Sequence, residues 1–464
     1  MTEFEEKLEQ ILLAQIDGCT GLDTVERLSG GASQETYRIV IHSSSGARTL
    51  CMRRAAGGGY DEVRLPGLDG EALLMQIARK SGVPAPEVYY VLKRADDLGG
   101  GFIMEWLEGE ALGSRILRDE KYAKLRPGLA FECGRIMARI HNIDLDSAGL
   151  RARLQVLTPE NYVRQTWESY QALNVPQPMI DYVGQWLMRN LPKTDRVTLV
   201  HNEFRNGNFM VSSEEVLGVL DWEIAHIGDP VRDLGWLCTN AWRYGESLPV
   251  GGFGSYEDLL RGYEEESGIK VDPIHVQFWE VFGSFWWSVT CLRFTERFRA
   301  GPDRSIERGM IGRRAAEGQI DCVNILMPGP VTEVPRGSME NLNSPRTDEL
   351  LTEVSNFLRD EVMGSVQGRT RFLARVAANA VDLAKREAES LSEYRVWELA
   401  ALQSLFGSTE DGLEVLRWRL VEKLRDDEVD LDDNQLRAYL RQAVTNQIAM
   451  DHPSYNGYKQ AISR

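Results

Sequence analysis

The chain opens on an amphipathic stretch, residues 4–17, where Phe4, Leu8, Ile11, Leu12 and Ile16 recur at helical spacing on one face. Strand-like pieces follow in VERLSGGASQETYRIVI and ARTLCMRRA, split by the turn-forming HSSSG. A loop with glycines at 57–59 leads to a helix expected near 68–81, which Ser81-Gly82 closes before VPAPEVYYV. GFIMEWLEGEAL then reads as a buried strand leaving for a linker. The order β,β,β,α,β,β predicts a small twisted sheet carrying one helix.

From about 120 to 327 helical periodicity takes over, in LAFECGRIMARIHNID, PENYVRQTWESYQAL, PMIDYVGQWLMRNL and the Trp-rich VQFWEVFGSFWWSVTCLRF. Embedded among these helices is LVHNEFRNGNFMVSSEEVLGVLDWEIAHIGDPVRDLGW (199–236), whose apolar runs FMV and VLGVLDW flank the turn-prone SSEE. A two-stranded ribbon is expected there. The stretch 327–349 has four prolines, two glycines and little apolar content, the composition of a linker. Beyond it TDELLTEVSNFLRDEV, RTRFLARVAANAVDLAKREAE, EYRVWELAALQSLFG and GLEVLRWRLVEKLRDDEV read as helices with no strand pattern. The expected class is α+β, a small sheet lobe (1–108) and a helical lobe (109–327), then a linker (328–349) and an all-α domain (350–464).

Composition narrows the functions. A formal net charge of −17 argues against a general nucleic-acid or anionic-membrane surface. An anionic nucleotide would then need local cations or a metal. Six cysteines without a C-x-x-C pair fit a reduced, cytoplasmic protein. The acidic N-terminus is unlike a signal peptide, and no apolar run approaches the roughly 18–20 residues that span a bilayer. A soluble protein is expected.

Chemistry concentrates in the ribbon segment. Glu203 is followed by Asn208 five residues on and by Asp221 thirteen later. A hairpin between the last two brings a base and two oxygen ligands for a divalent cation to one end, as phosphoryl transfer requires. His201-Asn202-Glu203, Asn208, Asp221-Trp222-Glu223, Gly228-Asp229-Pro230 and Asp233-Leu234 follow the order H-G-D-x-x-x-x-N, (I/L)-D-(W/F)-E, G-D-P-x-x-D-L. Over roughly residues 20–327 the sequence resembles the aminoglycoside phosphotransferase and choline kinase-like family.

That resemblance implies a bilobal protein-kinase-like fold using ATP and Mg²⁺. Asn208 and Asp221 would hold the metal against the phosphates, with Glu203 where the family has its catalytic Asp. One added methylene could displace the carboxylate by about 1 Å, enough to cost of order a hundredfold in rate. Three readings stay open: a working base, an impaired enzyme, and a pseudokinase that keeps nucleotide binding. Ser29-Gly30-Gly31-Ala32-Ser33 would cover the phosphates, with Gly30 and Gly31 allowing close approach and Ser29 and Ser33 beside them. Arg53 aligns with the family's strand lysine, and Glu71 would pair with it. Strand alternation turns Arg54 to the opposite face, as a solvated charge. Backbone groups of Glu105 and Leu107 would read adenine at the hinge.

Other residues have two readings. His201 is expected to brace the loop rather than act as a base. Arg205 would contact a phosphate or substrate anion, or stabilise the loop by an ion pair with Glu203 or Asp233. Asp229 and Asp233 would cap or pin their segment. The cluster Trp279, Phe282, Phe285, Trp286, Trp287 and Phe294 reads mostly as core, with some rings available to an apolar acceptor. RFTERFRAGPDRSIERGMIGRR sets seven arginines against three acids, as solvated helix faces or as an anion site.

Polycationic aminoglycosides fit such surfaces poorly. VLDWEIAHIGDPVRDLGWLCTNAWRYG and IGRRAAEG look most like the branch related to kinase domains fused to acyl-CoA dehydrogenases. The expected partner is a small-molecule hydroxyl acceptor, either a hydroxyacyl-CoA thioester or hydroxy acid or another small alcohol, with no nucleic acid or membrane. The competing reading is a nucleotide-binding pseudokinase or scaffold whose helical tail binds a partner. The tail itself reads as an accessory or assembly domain through which the chain could form homo-oligomers.

Overall fold

The apolar face of residues 4–17 is buried as its spacing predicts. The computed structural model describes residues 2–28, 34–59, 66–301, 304–335 and 345–464. In it helix α1 (Glu3–Gln15) starts at a Thr2–Glu5 capping box and buries Leu8, Ile11 and Leu12. These side chains join Ile39, Ile41, Leu50, Met52 and Ile103 in one apolar cluster.

The strands are β1 (Cys19–Arg27), β2 (Gln34–Ser43), β3 (Gly46–Ala55), β4 (Val88–Val91) and β5 (Gly101–Glu105), with helix α2 (Gly67–Lys80) between β3 and β4. Element order therefore matches the sequence reading. In space the sheet runs β1-β2-β3-β5-β4, and every neighbouring pair is antiparallel. Along β2 buried Tyr37, Ile39 and Ile41 alternate with half-buried neighbours, the period of a sheet covered on one face.

The expected ribbon is present, with Phe209–Val211 antiparallel to Val216–Val219. A second small sheet centres on His226–Gly228, parallel to Val156–Leu157 and antiparallel to Thr198–Val200. The helices Arg126–His141 and Tyr256–Ser267 approach closely through glycine. A Cβ on Gly134 would lie 2.2 Å from the Leu259 carbonyl oxygen, and one on Gly262 would lie 2.0 Å from that of Phe131.

The chain forms two compact units. The first comprises Met1–Thr158, Lys193–Cys238 and Trp242–Trp279; the second comprises Pro159–Pro192, Thr239–Ala241 and Glu280–Arg464. The stretch 109–327 contributes to both units, whereas 350–464 lies wholly in the second. Within the second, Asp181 of helix Pro178–Arg189 accepts hydrogen bonds from Arg425 Nε (2.8 Å), Trp167 Nε1 (2.9 Å) and Tyr170 Oη (2.9 Å). Asp321 likewise accepts from Tyr455 Oη and Asn240 Nδ2, both at 2.7 Å.

Two tail features differ from the sequence reading. The helices expected over 369–389 and 393–407 are one 39-residue helix, Gly368–Phe406, because no glycine or proline interrupts the sequence after Gly368. The helix Asn434–Asp451 escaped notice because its buried face carries Gln442, Thr445 and Asn446, which blur the apolar period. Among the described residues, no helix is long and apolar enough to cross a membrane.

Candidate active site

The buried strand Thr198–Val200 delivers the chain to His201, and Asp233 in the first turn of helix Val231–Cys238 shapes the loop beyond that strand. One Asp233 oxygen accepts from the Asn202 backbone N–H (2.7 Å); the other accepts from the His201 backbone N–H (2.9 Å) and faces His141 Nε2 at 3.0 Å. Burial works to raise this carboxyl, but the His141 contact and the backbone donors hold it below the usual range. Asn202 takes φ 69°, the left-handed bend that turns the loop.

His201 is neutral, with burial pushing its pKa down to about 4. Its Nδ1 accepts from the Glu203 backbone N–H (3.2 Å), so Nε2 carries the proton and donates to the Leu220 carbonyl (3.1 Å). The ring lies 4.4 Å from that of Trp222. This imidazole ties the loop to the strand end that bears Asp221.

Glu203 projects into the site with its side chain 13% exposed. Burial raises its carboxyl to about 7, with Arg205 opposing the rise and Asp221 adding to it. Oε2 accepts from Arg205 Nε (3.1 Å) and Asn208 Nδ2 (3.2 Å), while Asn208 Nδ2 also donates to the Glu203 carbonyl (3.0 Å). The two tethers share one oxygen, Oε2. Arg205 also stacks over the Trp242 ring at 4.2 Å. Gly207 makes room for it: at φ 114°, a Cβ there would lie 2.7 Å from Arg205 Nη1 and 2.9 Å from the Tyr244 hydroxyl. Of the two ion-pair partners open to Arg205 from sequence, Glu203 is the one it meets.

Arg53 faces the same centre from β3. Its guanidinium donates to Glu71 Oε1 (2.6 Å), Asp221 Oδ1 (3.2 Å) and Gln34 Oε1 (2.9 Å). Burial favours the neutral form of Glu71, and the Arg53 charge opposes that effect. Glu71 itself is fully buried, and its contact with Arg53 is through Oε1. Asp221 sits at φ 68°, with its side chain 30% exposed.

Asn208 and Asp221 offer a hard amide oxygen and a hard carboxylate oxygen, the donors Mg²⁺ takes while keeping waters and phosphate oxygens. Asn208 Nδ2 is committed to Glu203, which leaves Oδ1 as its ligand atom. The donor set fits that ion.

Arg54 corrects the expectation of a solvated charge. It donates to Glu35 Oε2 (2.7 Å) and lies 4.6 Å from the Phe4 ring centroid, because α1 covers that face of the sheet. At the expected hinge, the Glu105 amide is spent on the Glu87 carbonyl (2.8 Å), so this N–H is not free to read adenine. Ser29, Gly30, Gly31 and Ser33 lie outside the described residues.

Residues 24–268 match the family model described as "Phosphotransferase enzyme family". The chain belongs to that family. Residues 364–455 match a further model, "Domain of unknown function (DUF6285)". Acyl-CoA dehydrogenase family member 10 of Mus musculus is 29% identical over 266 residues, 54% of this chain and 22% of the mouse protein. Acyl-CoA dehydrogenase family member 11 of Rattus norvegicus is 26% identical over 380 residues, 73% of this chain and 45% of the rat protein. The chain thus spans less than half the length of these relatives, which bear out the branch its motifs resemble. A solved structure of a putative aminoglycoside phosphotransferase from Ralstonia eutropha superposes with a TM-score of 0.56 at 22% identity, covering 68% of this chain and 95% of that one. The α+β kinase-like fold with a helical C-terminal region follows from that match.

Several residues of this phosphotransferase site went unread in sequence. His141 and Gln34 are remote in the chain from the acids they meet, and neither stands in a motif. Asp229 pins its segment as expected: it accepts from Trp279 Nε1 (2.9 Å) and the Val231 backbone N–H (3.0 Å), and faces His275 Nε2 at 2.5 Å. Among the aromatics, Trp279, Phe282 and Phe285 are buried, while Trp286, Trp287 and Phe294 are half-buried. The arginine-rich segment is not uniformly solvated, because Arg313 pairs with Asp451 (2.6 Å) and Arg314 with Glu317 (2.9 Å).

Proposed function

We propose that this phosphotransferase is a small-molecule kinase that moves the γ-phosphoryl group of ATP to a hydroxyl of an acidic metabolite, a hydroxyacyl-CoA thioester or hydroxy acid. One observation carries the reading: the Arg53 guanidinium spans Glu71 and Asp221 at the centre that also holds Glu203 and Asn208. An arginine so fixed presents a planar fork to phosphate oxygens.

In this reading Glu203 Oε1 orients the acceptor hydroxyl and takes its proton. A new P–O bond forms to the acceptor oxygen as the bond to ADP breaks. Arg205 and Asn208 fix the carboxylate through Oε2, countering the freedom of the longer side chain. Asn208 and Asp221 would hold Mg²⁺, which neutralises phosphate charge when bound. The acidic acceptor is supported by the branch resemblance and by the Arg205 charge beside the base. Six cysteines, none of them in a disulfide, support a reducing compartment, the cytoplasm.

The test is ADP release, with mass spectrometry of the product, for ATP and MgCl₂ against a panel of hydroxyacyl-CoAs, hydroxy acids and neutral alcohols. Phosphorylation of acidic acceptors is expected, reduced about 10²–10⁴-fold in Glu203→Gln. Nucleotide binding without transfer to any panel member would replace this reading with the pseudokinase one.

A further inference from the structure

Gln34 opens β2, which runs antiparallel to β3 with Thr36 opposite Arg53 and Gln34 opposite Ala55. Side chains alternate along a strand, so positions 34 and 36 share the face of Arg53. Gln34 stands diagonally across from Arg53, a gap that long side chains bridge. Glu35 falls on the other face, where it meets Arg54.

The chemistry of arginine orients the amide. Arg53 Nε can only donate, and the Gln34 atom that it meets at 2.9 Å is Oε1. The other end of the amide, Nε2, donates to Glu223 Oε2 at 3.3 Å. Gln34 therefore ties the sheet arginine to the acid two residues beyond Asp221. The terminal nitrogens of Arg53 donate to Glu71 and Asp221. Nε carries a single N–H, which Gln34 takes up, so phosphate contacts fall to the terminal nitrogens with their two N–H groups each. Burial works against the Arg53 charge, and Glu71, Asp221 and Glu223 hold its pKa above the usual arginine range. A neutral amide at position 34 accepts from the guanidinium and donates to a carboxylate at once, and it adds no fourth negative charge to that group.

We infer that Gln34 is a positioning residue for phosphoryl transfer, holding the Arg53 guanidinium against the Asp221–Glu223 segment so that it meets the nucleotide phosphates in one orientation. The role rests on the nucleotide binding proposed above. A guanidinium released at Nε can turn, and it must be reordered when a phosphate binds. A hydrogen bond to a charged group is worth about tenfold or more in affinity.

Isothermal titration calorimetry of the full chain with MgATP tests this in wild type, Gln34→Leu, Arg53→Lys and the double variant. Gln34→Leu should bind MgATP about tenfold more weakly, and in turnover KM for ATP should rise by the same factor with kcat within threefold. Lysine has no Nε donor, so in the Arg53→Lys background the same substitution should change affinity less than twofold. General loosening of the sheet would not produce that coupling. Thermal melts by circular dichroism report folding, and Gln34→Met, which keeps the length without the amide, serves if the leucine variant unfolds. Affinity of Gln34→Leu within twofold of wild type, or an undiminished loss in the Arg53→Lys background, would overturn the role of Gln34 and leave the kinase reading standing. Wild type that does not bind MgATP would overturn both.

Discussion

Replacing Asp233 with alanine tests how the catalytic loop is held. The carboxylate is fully buried and receives the backbone N–H groups of His201 and Asn202 and the Nε2 of His141. Alanine strands these three donors, and each unmet buried donor costs about 1–3 kcal/mol. Removing a buried charge returns part of that, so a net loss of about 3–5 kcal/mol is expected. Whole domains are stable by only about 5–15 kcal/mol, so the variant should be marginal. Asp233→Asn keeps one acceptor oxygen and should lose less. Urea denaturation of the three proteins gives the stability differences, and ATP turnover at a urea-free reference gives the activity. A loop displaced by 1 Å predicts a drop of about a hundredfold even in molecules that remain folded. Stability within about 1 kcal/mol of wild type, together with turnover within threefold, would show that Asp233 does not organise the loop.

Arg425→Met should cost about 3–5 kcal/mol by leaving the Asp181 carboxylate buried without its cation, a loss read as a lower urea midpoint. An unchanged midpoint would mean that Trp167 and Tyr170 suffice. His201 and His226 are both held by burial at about 4, below their unfolded value of 6.5. The unfolded chain therefore binds protons first. Stability should be complete above about pH 6.5 and fall towards pH 4, by at most about 3 kcal/mol per histidine, which midpoints at pH 7 and pH 5 would reveal. Glu203→Asp should withdraw the carboxylate from Arg205 and Asn208 and lower kcat about a hundredfold, with KM for ATP little changed. A rise in kcat would show instead that glutamate impairs this enzyme.

What the sequence disclosed was local. Glu203, Asn208 and Asp221 stand on one loop and one ribbon, so their spacing carries their geometry. Arg53 and Arg54 separated correctly because a strand alternates its faces, yet the cover that α1 gives Arg54 depends on a contact no short window contains. His141 meets Asp233 from 92 residues away, and Gln34 meets Glu223 from 189, so neither pairing has a periodic or motif signal. The tail hides its packing differently. Asn434–Asp451 buries amides and a hydroxyl that pair with one another and with backbone, which apolar patterning treats as surface.

The pairings of the second unit also impose an order on biosynthesis. Asp181, Glu317 and Asp321 are made early, whereas their partners Arg425, His452 and Tyr455 come later in the chain. While the nascent chain stops short of Tyr455, Asp321 lacks that hydroxyl and keeps only the earlier part of its hydrogen bonding, such as the Asn240 amide. The second unit therefore gains its full set of pairings only when its later helices are made, and a chain that stops before them lacks the partners of Asp181, Glu317 and Asp321.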